Sequence, residues 1–139
     1  KMKIAVVGSD VPLKSQSAEI EYFMSCSDDV KNKLISASKV CVFPSIDDNE
    51  AFGVVQLEAM RLGVPVINTR LNTGVPWVSL HNESGLTVEP NDHQSLAEAM
   101  LILLNDDVQY RRLSKGARDR FLNEFKKEIL EKEFLKTIS

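Results

Sequence analysis

Residues 40 to 68 constrain the fold more than any other stretch of this chain. Val40 to Phe43 is a short apolar run ending at Pro44-Ser45, a helical pattern opens around Ala51 to Gly53 and closes near Leu62-Gly63, and Pro65 to Asn68 is a second apolar run. Gly63 suits the position after a helix, where the backbone commonly turns left-handed. A strand, a helix and a strand in direct succession argue a parallel sheet covered by helices, because parallel neighbours need a crossover between them.

The same alternation extends in both directions. Further strands are expected at Lys3 to Val7, Ile20 to Met24 and Leu86 to Val88. Ser27-Asp28-Asp29 opens a helix whose apolar face is Val30, Leu34 and Ile35, and a short helix follows Pro76. Asp92 caps a longer helix with Leu96, Met100, Leu103 and Leu104 on one face. Tyr110, Leu113, Ala117, Phe121 and Phe125 continue at near-helical spacing, and Lys126 to Ser139 reads as a charged amphipathic helix. Ser9 to Glu19 is short for a crossover helix. The fold class is α/β: a Rossmann-like parallel sheet with helices on both faces.

At 139 residues the chain is one domain's worth, without room for two such lobes. A composition 43% hydrophobic and 27% charged, with a formal charge of −3 and no basic strip, gives no reason to expect nucleic acid as a partner. The longest apolar runs, such as Ala99 to Leu104, are far short of a membrane span, and the start has no signal-peptide pattern. Cys26 and Cys41 lack metal-ligand spacing and form no disulfide framework, so both thiols read as structural and the setting as reduced and cytoplasmic.

The chemistry concentrates between Glu50 and Glu58. A helix start after a strand end offers unpaired N–H groups and partial positive charge to a phosphate. The N–H groups of Phe52, Gly53 and Val54 are the candidates here, with Gly53 allowing close backbone approach. Carboxylates accept hydrogen bonds from sugar hydroxyls. On one ideal helix Glu58 would lie about 12 Å along the axis from Glu50 and rotated by roughly 80°, so the pair would bracket an extended ligand rather than share one atom. The plainer alternatives are a first-turn acid favouring the helix dipole for Glu50 and a solvated helix acid for Glu58. Asp47-Asp48 is not an Asp-x-Asp pair and reads as loop acids; His81 and His93 sit in polar loop surroundings; Lys31 and Lys33 fit a solvated helix face. A receiver-type signalling domain shares the layering, but Val7-Gly8-Ser9-Asp10 offers a single acid where it needs a cluster.

The string Pro-Ser-x-x-x-x-Glu-x-Phe-Gly-x-x-x-x-Glu-Ala-Met-x-x-Gly-x-Pro-Val-Ile, from Pro44 to Ile67, resembles the nucleotide-recognition signature of family-four retaining glycosyltransferases of the GT-B fold. The likeness continues in Thr73-Gly74-Val75-Pro76-Trp77, in Gly85 to Asp92 and in Leu96 to Ala99, and covers most of the chain from about Ile20 onward. It implies a C-terminal lobe, residues 1–139, that binds a nucleotide diphosphate sugar for hexosyl transfer to a glycan or lipid-linked acceptor, as in cell-surface polysaccharide biosynthesis. Glu50 is then the catalytic residue beside the transferred sugar. Phe52, Gly53, Val54, Thr73 and Gly74 join the donor site, and Glu58 holds the ribose.

The resemblance implies no cofactor and no metal. The family's diphosphate-gripping arginine and lysine have no counterpart here, so the chain reads either as an excerpt lacking the lobe's first strand or as a lobe with a differently organised sheet, and it is expected to be inactive alone and a weak binder of nucleotide diphosphates. The acceptor surface belongs to an N-terminal lobe. A full-length enzyme is expected in the cytoplasm, with peripheral association at the inner membrane face compatible with a lipid-linked acceptor. The family commonly has Gly-Gly-x-Pro-Glu where Thr73 and Trp77 stand, which removes that glutamate's role; Trp77 reads as a core or lobe-contact residue rather than a sugar platform. A non-catalytic nucleotide-sugar-binding module is the alternative function.

Overall fold

The computed structural model describes residues 2–8, 16 and 18–127. The chain forms two compact units, Lys1–Ala37 and Ser38–Ser139. In the first, β1 (Met2–Val7) and β2 (Ala18–Phe23) run parallel with Met2 opposite Ala18 and Val7 opposite Phe23. Strand alternation half-buries Met2, Ile4, Val6, Ala18, Ile20 and Tyr22 while Lys3, Glu19 and Glu21 are exposed. β2 starts before the expected Ile20 because Ala18-Glu19 already follows this period of two, which a search for apolar runs undercounts. Most of Ser9 to Glu19 lies outside the described residues.

Helix α1 (Asp28–Ala37) is capped by Ser27, whose Oγ accepts the Val30 N–H at 3.3 Å. Ile35 is buried and Leu34 half-buried, as their spacing requires. Val30 departs from the expected face: in the first turn it is 38% exposed, where the helix end opens to solvent.

The second unit holds β3 (Cys41–Phe43), β4 (Val66–Thr69) and β5 (Gly85–Val88) in that order, all parallel. The register aligns Val42, Ile67 and Leu86 on one face, and Phe43, Asn68 and Thr87 on the other. The first face is apolar and packs with Val88 against Leu96, Ala99, Met100 and Leu103 of α4 (His93–Asn105). The second receives α2 (Val54–Arg61) and α3 (Val75–Val78), so helices cover both faces of a Rossmann-like α/β sheet.

Helix termini follow local chemistry. Asp92 caps α4, its Oδ1 accepting the Ser95 N–H at 3.0 Å and its Oδ2 the Ser95 hydroxyl at 2.7 Å. These bonds, backbone first, hold the Asp92 carboxyl below its ordinary 3.8. A depressed folded value means the cap's contribution is present above the unfolded value and lost as pH falls through the folded one. Asp92→Asn should therefore flatten the acid limb of a melting-temperature profile below about pH 4, and an unchanged limb would show that Asp92 carries no acid sensitivity.

Asp106 ends α4 and caps α5 (Asp107–Arg120) through Gln109 N–H. Leu113 and Ala117 are buried on α5, and a π-helical turn, Phe121–Phe125, follows. Its wider winding absorbs part of the drift of a four-residue spacing and brings Phe125 back to the buried side. The backbone turns extended at Lys126, and the expected tail helix falls outside the described residues from 128 onward.

Helix α2 begins at Val54, not at Ala51 to Gly53, because Gly53 adopts φ 71° and forms its N-cap. Its other end is a Schellman turn: Val64 N–H bonds Ala59 O at 2.9 Å, Gly63 N–H bonds Met60 O at 3.0 Å, and Gly63 has φ 70°. From α5, Ser114 Oγ donates to Gly63 O in the turn itself at 2.5 Å and Arg118 to Arg61 O, a carbonyl the helix leaves over.

Candidate functional site

The loops after β3 and β4, residues 44–53 and 70–74, leave the carboxyl ends of adjacent parallel strands, the place where open α/β sheets bind ligands. Cross-links tie them into one shelf. Thr69 Oγ1 donates to Ser45 O, Asn72 N–H donates to Asp48 Oδ1 at 3.3 Å, and the Phe52 ring lies so close over Gly74 that any Cβ there would overlap it. Asp47 Oδ1 accepts the Asn49 N–H at 2.9 Å and turns the first loop, with Glu50 N–H closing on Asp47 O at 3.2 Å. Both aspartates are thus occupied as loop formers.

Glu50 lies on this shelf with an exposed side chain, outside α2 rather than in its first turn. The ideal-helix estimate of its separation from Glu58 therefore does not apply. Glu58 stands one turn into α2, half-buried, near enough to Cys41 for its charge to act on the thiol. Burial first, and then Glu58, push Cys41 up to about 11, which leaves it protonated and without nucleophilic character. The structure brings Phe52, Gly53 and Val54 together with Thr73 and Gly74, the first group by the helix start and the second by the Phe52 ring. Thr73 Oγ1 accepts the Val75 N–H at 3.3 Å.

Gly53 meets a protein group rather than leaving open space. A Cβ there would lie 2.7 Å from the Phe43 ring, so glycine is needed both for φ and for the approach of β3. With Gly53 as N-cap, no side-chain hydrogen bond caps α2, and its start faces the shelf with backbone N–H groups alone.

Beneath the shelf is a buried polar network that reading the residues in order had not singled out. Gln56, Asn68, Ser79 and Thr87 are all at most 7% exposed. Gln56 Nε2 donates to Phe52 O at 2.6 Å and Val75 O at 3.2 Å; Asn68 Nδ2 reaches Gln56 Oε1 at 2.8 Å, Val75 O at 3.0 Å and Ser79 O at 3.1 Å; Thr87 Oγ1 donates to Asn68 Oδ1 at 2.7 Å. The signal in the sequence was two amides at inward phases, Gln56 within an apolar helix and Asn68 within Val66-Ile67-Asn68-Thr69. Buried amides must be bonded, so each required a partner.

Trp77 is not a core residue, and its exposed indole stays compatible with a lobe contact. It is 53% exposed, with its ring edge-on to Phe125 at 5.3 Å and the Arg120 guanidinium 5.3 Å from its centre. Arg120 also donates to Trp77 O and Val78 O, which closes the end of α3 and holds the indole at the surface. His81 is exposed and its Nδ1 accepts the Thr87 N–H at 2.9 Å; His93 is exposed at the start of α4. Lys31 pairs with Asp28 at 3.3 Å on α1 and Lys33 is exposed. No helix among the described residues is long and apolar enough to cross a membrane.

The profile of the family described as "Glycosyl transferases group 1" matches residues 13–120. The O-antigen chain mannosyltransferase C of Escherichia coli is 36% identical over 95 residues, covering 68% of this chain and 26% of that protein. The sucrose-phosphate synthase of Thermosynechococcus elongatus superposes with a TM-score of 0.78 at 28% identity, over 96% of this chain and 37% of its own. The Anabaena protein HepE, crystallised with UDP-glucose, superposes with a TM-score of 0.75 at 21% identity, over 88% of this chain and 32% of its own. The chain thus spans about a quarter of the curated relative's length.

Proposed function

Because the chain belongs to the family of group 1 glycosyl transferases, we propose that it is the donor-binding lobe of a retaining glycosyltransferase. The donor is a nucleotide diphosphate sugar, and the acceptor a glycan or lipid-linked hydroxyl presented by another lobe. The observation that carries this reading is the shelf: two cross-linked loops at the carboxyl ends of β3 and β4 set an exposed carboxylate, Glu50, beside an α2 start that no side chain caps. UDP-glucose in HepE and mannosyl transfer by the E. coli relative support the same ligand class.

In this reading the bond from the anomeric carbon to the diphosphate breaks, one to the acceptor oxygen forms on the same face, and the acceptor's hydroxyl proton passes to the departing diphosphate. Charge grows on the departing diphosphate, where preorganised N–H groups act most strongly. The N–H groups at the start of α2 face the diphosphate, Glu50 orients the sugar hydroxyls, and Glu58 holds the ribose. A direct test is titration of the full-length protein with UDP and GDP by calorimetry, together with a transfer assay; failure to bind either nucleotide would overturn the reading. Glu58→Gln is expected to raise the donor dissociation constant more than it lowers turnover, since a ribose contact far from the reacting bond adds nearly uniform binding. A large fall in turnover at saturating donor would remove Glu58 from that role.

A further inference from the structure

The geometry points to Gln56 as a positioning residue that aims the Gly53 N–H of the helix start at the donor diphosphate, an inference that rests on the donor-lobe reading above. The Phe52–Gly53 peptide is planar and trans, so its carbonyl and N–H point in opposite directions. Gln56 Nε2 draws the Phe52 carbonyl inward at 2.6 Å, and Gln56 is fully buried beneath the shelf. The Gly53 N–H therefore points away from Gln56, on the opposite side of a peptide whose glycine is itself buried against Phe43.

Gln56 is itself held rather than free to turn. Its Oε1 accepts from Asn68 Nδ2 at 2.8 Å, which fixes its Nε2 on the side of Phe52 and Val75. Asn68 is fixed in turn by the Thr87 hydroxyl at 2.7 Å and by the carbonyls of Val75 and Ser79 at both ends of α3. One amide thus joins the loop carrying Glu50 to the segment following Thr73-Gly74. Two bonds to carbonyls at 2.6 and 3.2 Å leave the Gln56 amide group no spare hydrogen, so a change at this position is transmitted to both loops.

The test uses the full-length protein with UDP and GDP as probes. Gln56→Leu keeps the volume and loses every bond; Gln56→Glu keeps the acceptor for Asn68 and loses both donations. For each variant the expected result is an increase of about tenfold in the nucleotide dissociation constant and in the donor KM, the scale of one charge-assisted bond lost. Melting temperature is measured alongside: a purely structural role would lower it and leave the KM of the folded enzyme unchanged, which would overturn the proposal. Should either variant not fold, the wild type still decides. Its Gly53 amide resonance should be among the most strongly shifted by the bound nucleotide, and an unmoved Gly53 signal would overturn the proposal. A wild type that binds neither nucleotide removes the donor-lobe reading and this inference with it, whereas a wild type that binds while both variants bind equally well removes the positioning role alone.

Discussion

Replacing Glu50 by alanine in the full-length protein is expected to lower glycosyl transfer by at least about a hundredfold, the loss typical of removing one group that stabilises a transition state. The side chain is exposed on the loop between β3 and α2. Surface truncations away from caps and cores change stability by only about 0.5 kcal/mol. The loop's shape is set by Asp47, Ser45 and Asp48, so the shelf should survive the change. Activity and folding are therefore separable at this position. Near-normal turnover in a variant with unchanged melting temperature would sink the assignment and return Glu50 to a solvated loop acid.

The second large effect concerns folding. Gly85→Ala is expected to lower stability by about 3 kcal/mol, at the upper end of overpacking penalties. Gly85 opens β5 opposite Val66, and a Cβ there would overlap the Val66 carbonyl oxygen and lie 2.8 Å from Ser79 Oγ. Neither neighbour can yield cheaply. The Val66 carbonyl belongs to the central strand, and Ser79 Oγ lies 3.2 Å from Ser84 Oγ in a buried pair. Gly8→Ala is the control: its φ of 79° strains an alanine, but nothing lies within 4 Å of the added methyl. Urea unfolding of both variants would settle it; equal midpoints would mean that β4 and β5 can separate without cost.

Legibility followed the range over which each feature is decided. Gly63 after Leu62 and Asp92 before the Leu96 face were readable because a cap depends on a few consecutive residues. The strands at Val40 to Phe43, Pro65 to Asn68 and Leu86 to Val88 were readable as short apolar runs, while the register that aligns Val42, Ile67 and Leu86 was not. Val30 misled because spacing assigns a face but does not say how far the packing surface extends along it. Trp77 is kept out of the core for a related reason: what holds the indole at the surface is Arg120 and Phe125, more than forty residues away.

The sequence by itself determined the parallel βαβ order, the helix-terminating glycine and the Glu50-to-Glu58 segment that marks the family, since each rests on local spacing and side-chain type. Tertiary structure decided what those parts confront. It moved the start of α2 to Val54 by placing Gly53 against Phe43, tied the two loops into a shelf through Thr69 and Phe52, and buried Gln56 with Asn68 beneath it. The physical reason is that a buried amide has no preferred partner in its own neighbourhood. Its hydrogen bonds are chosen only when strands distant in sequence set their register and expel the water that would otherwise have satisfied it.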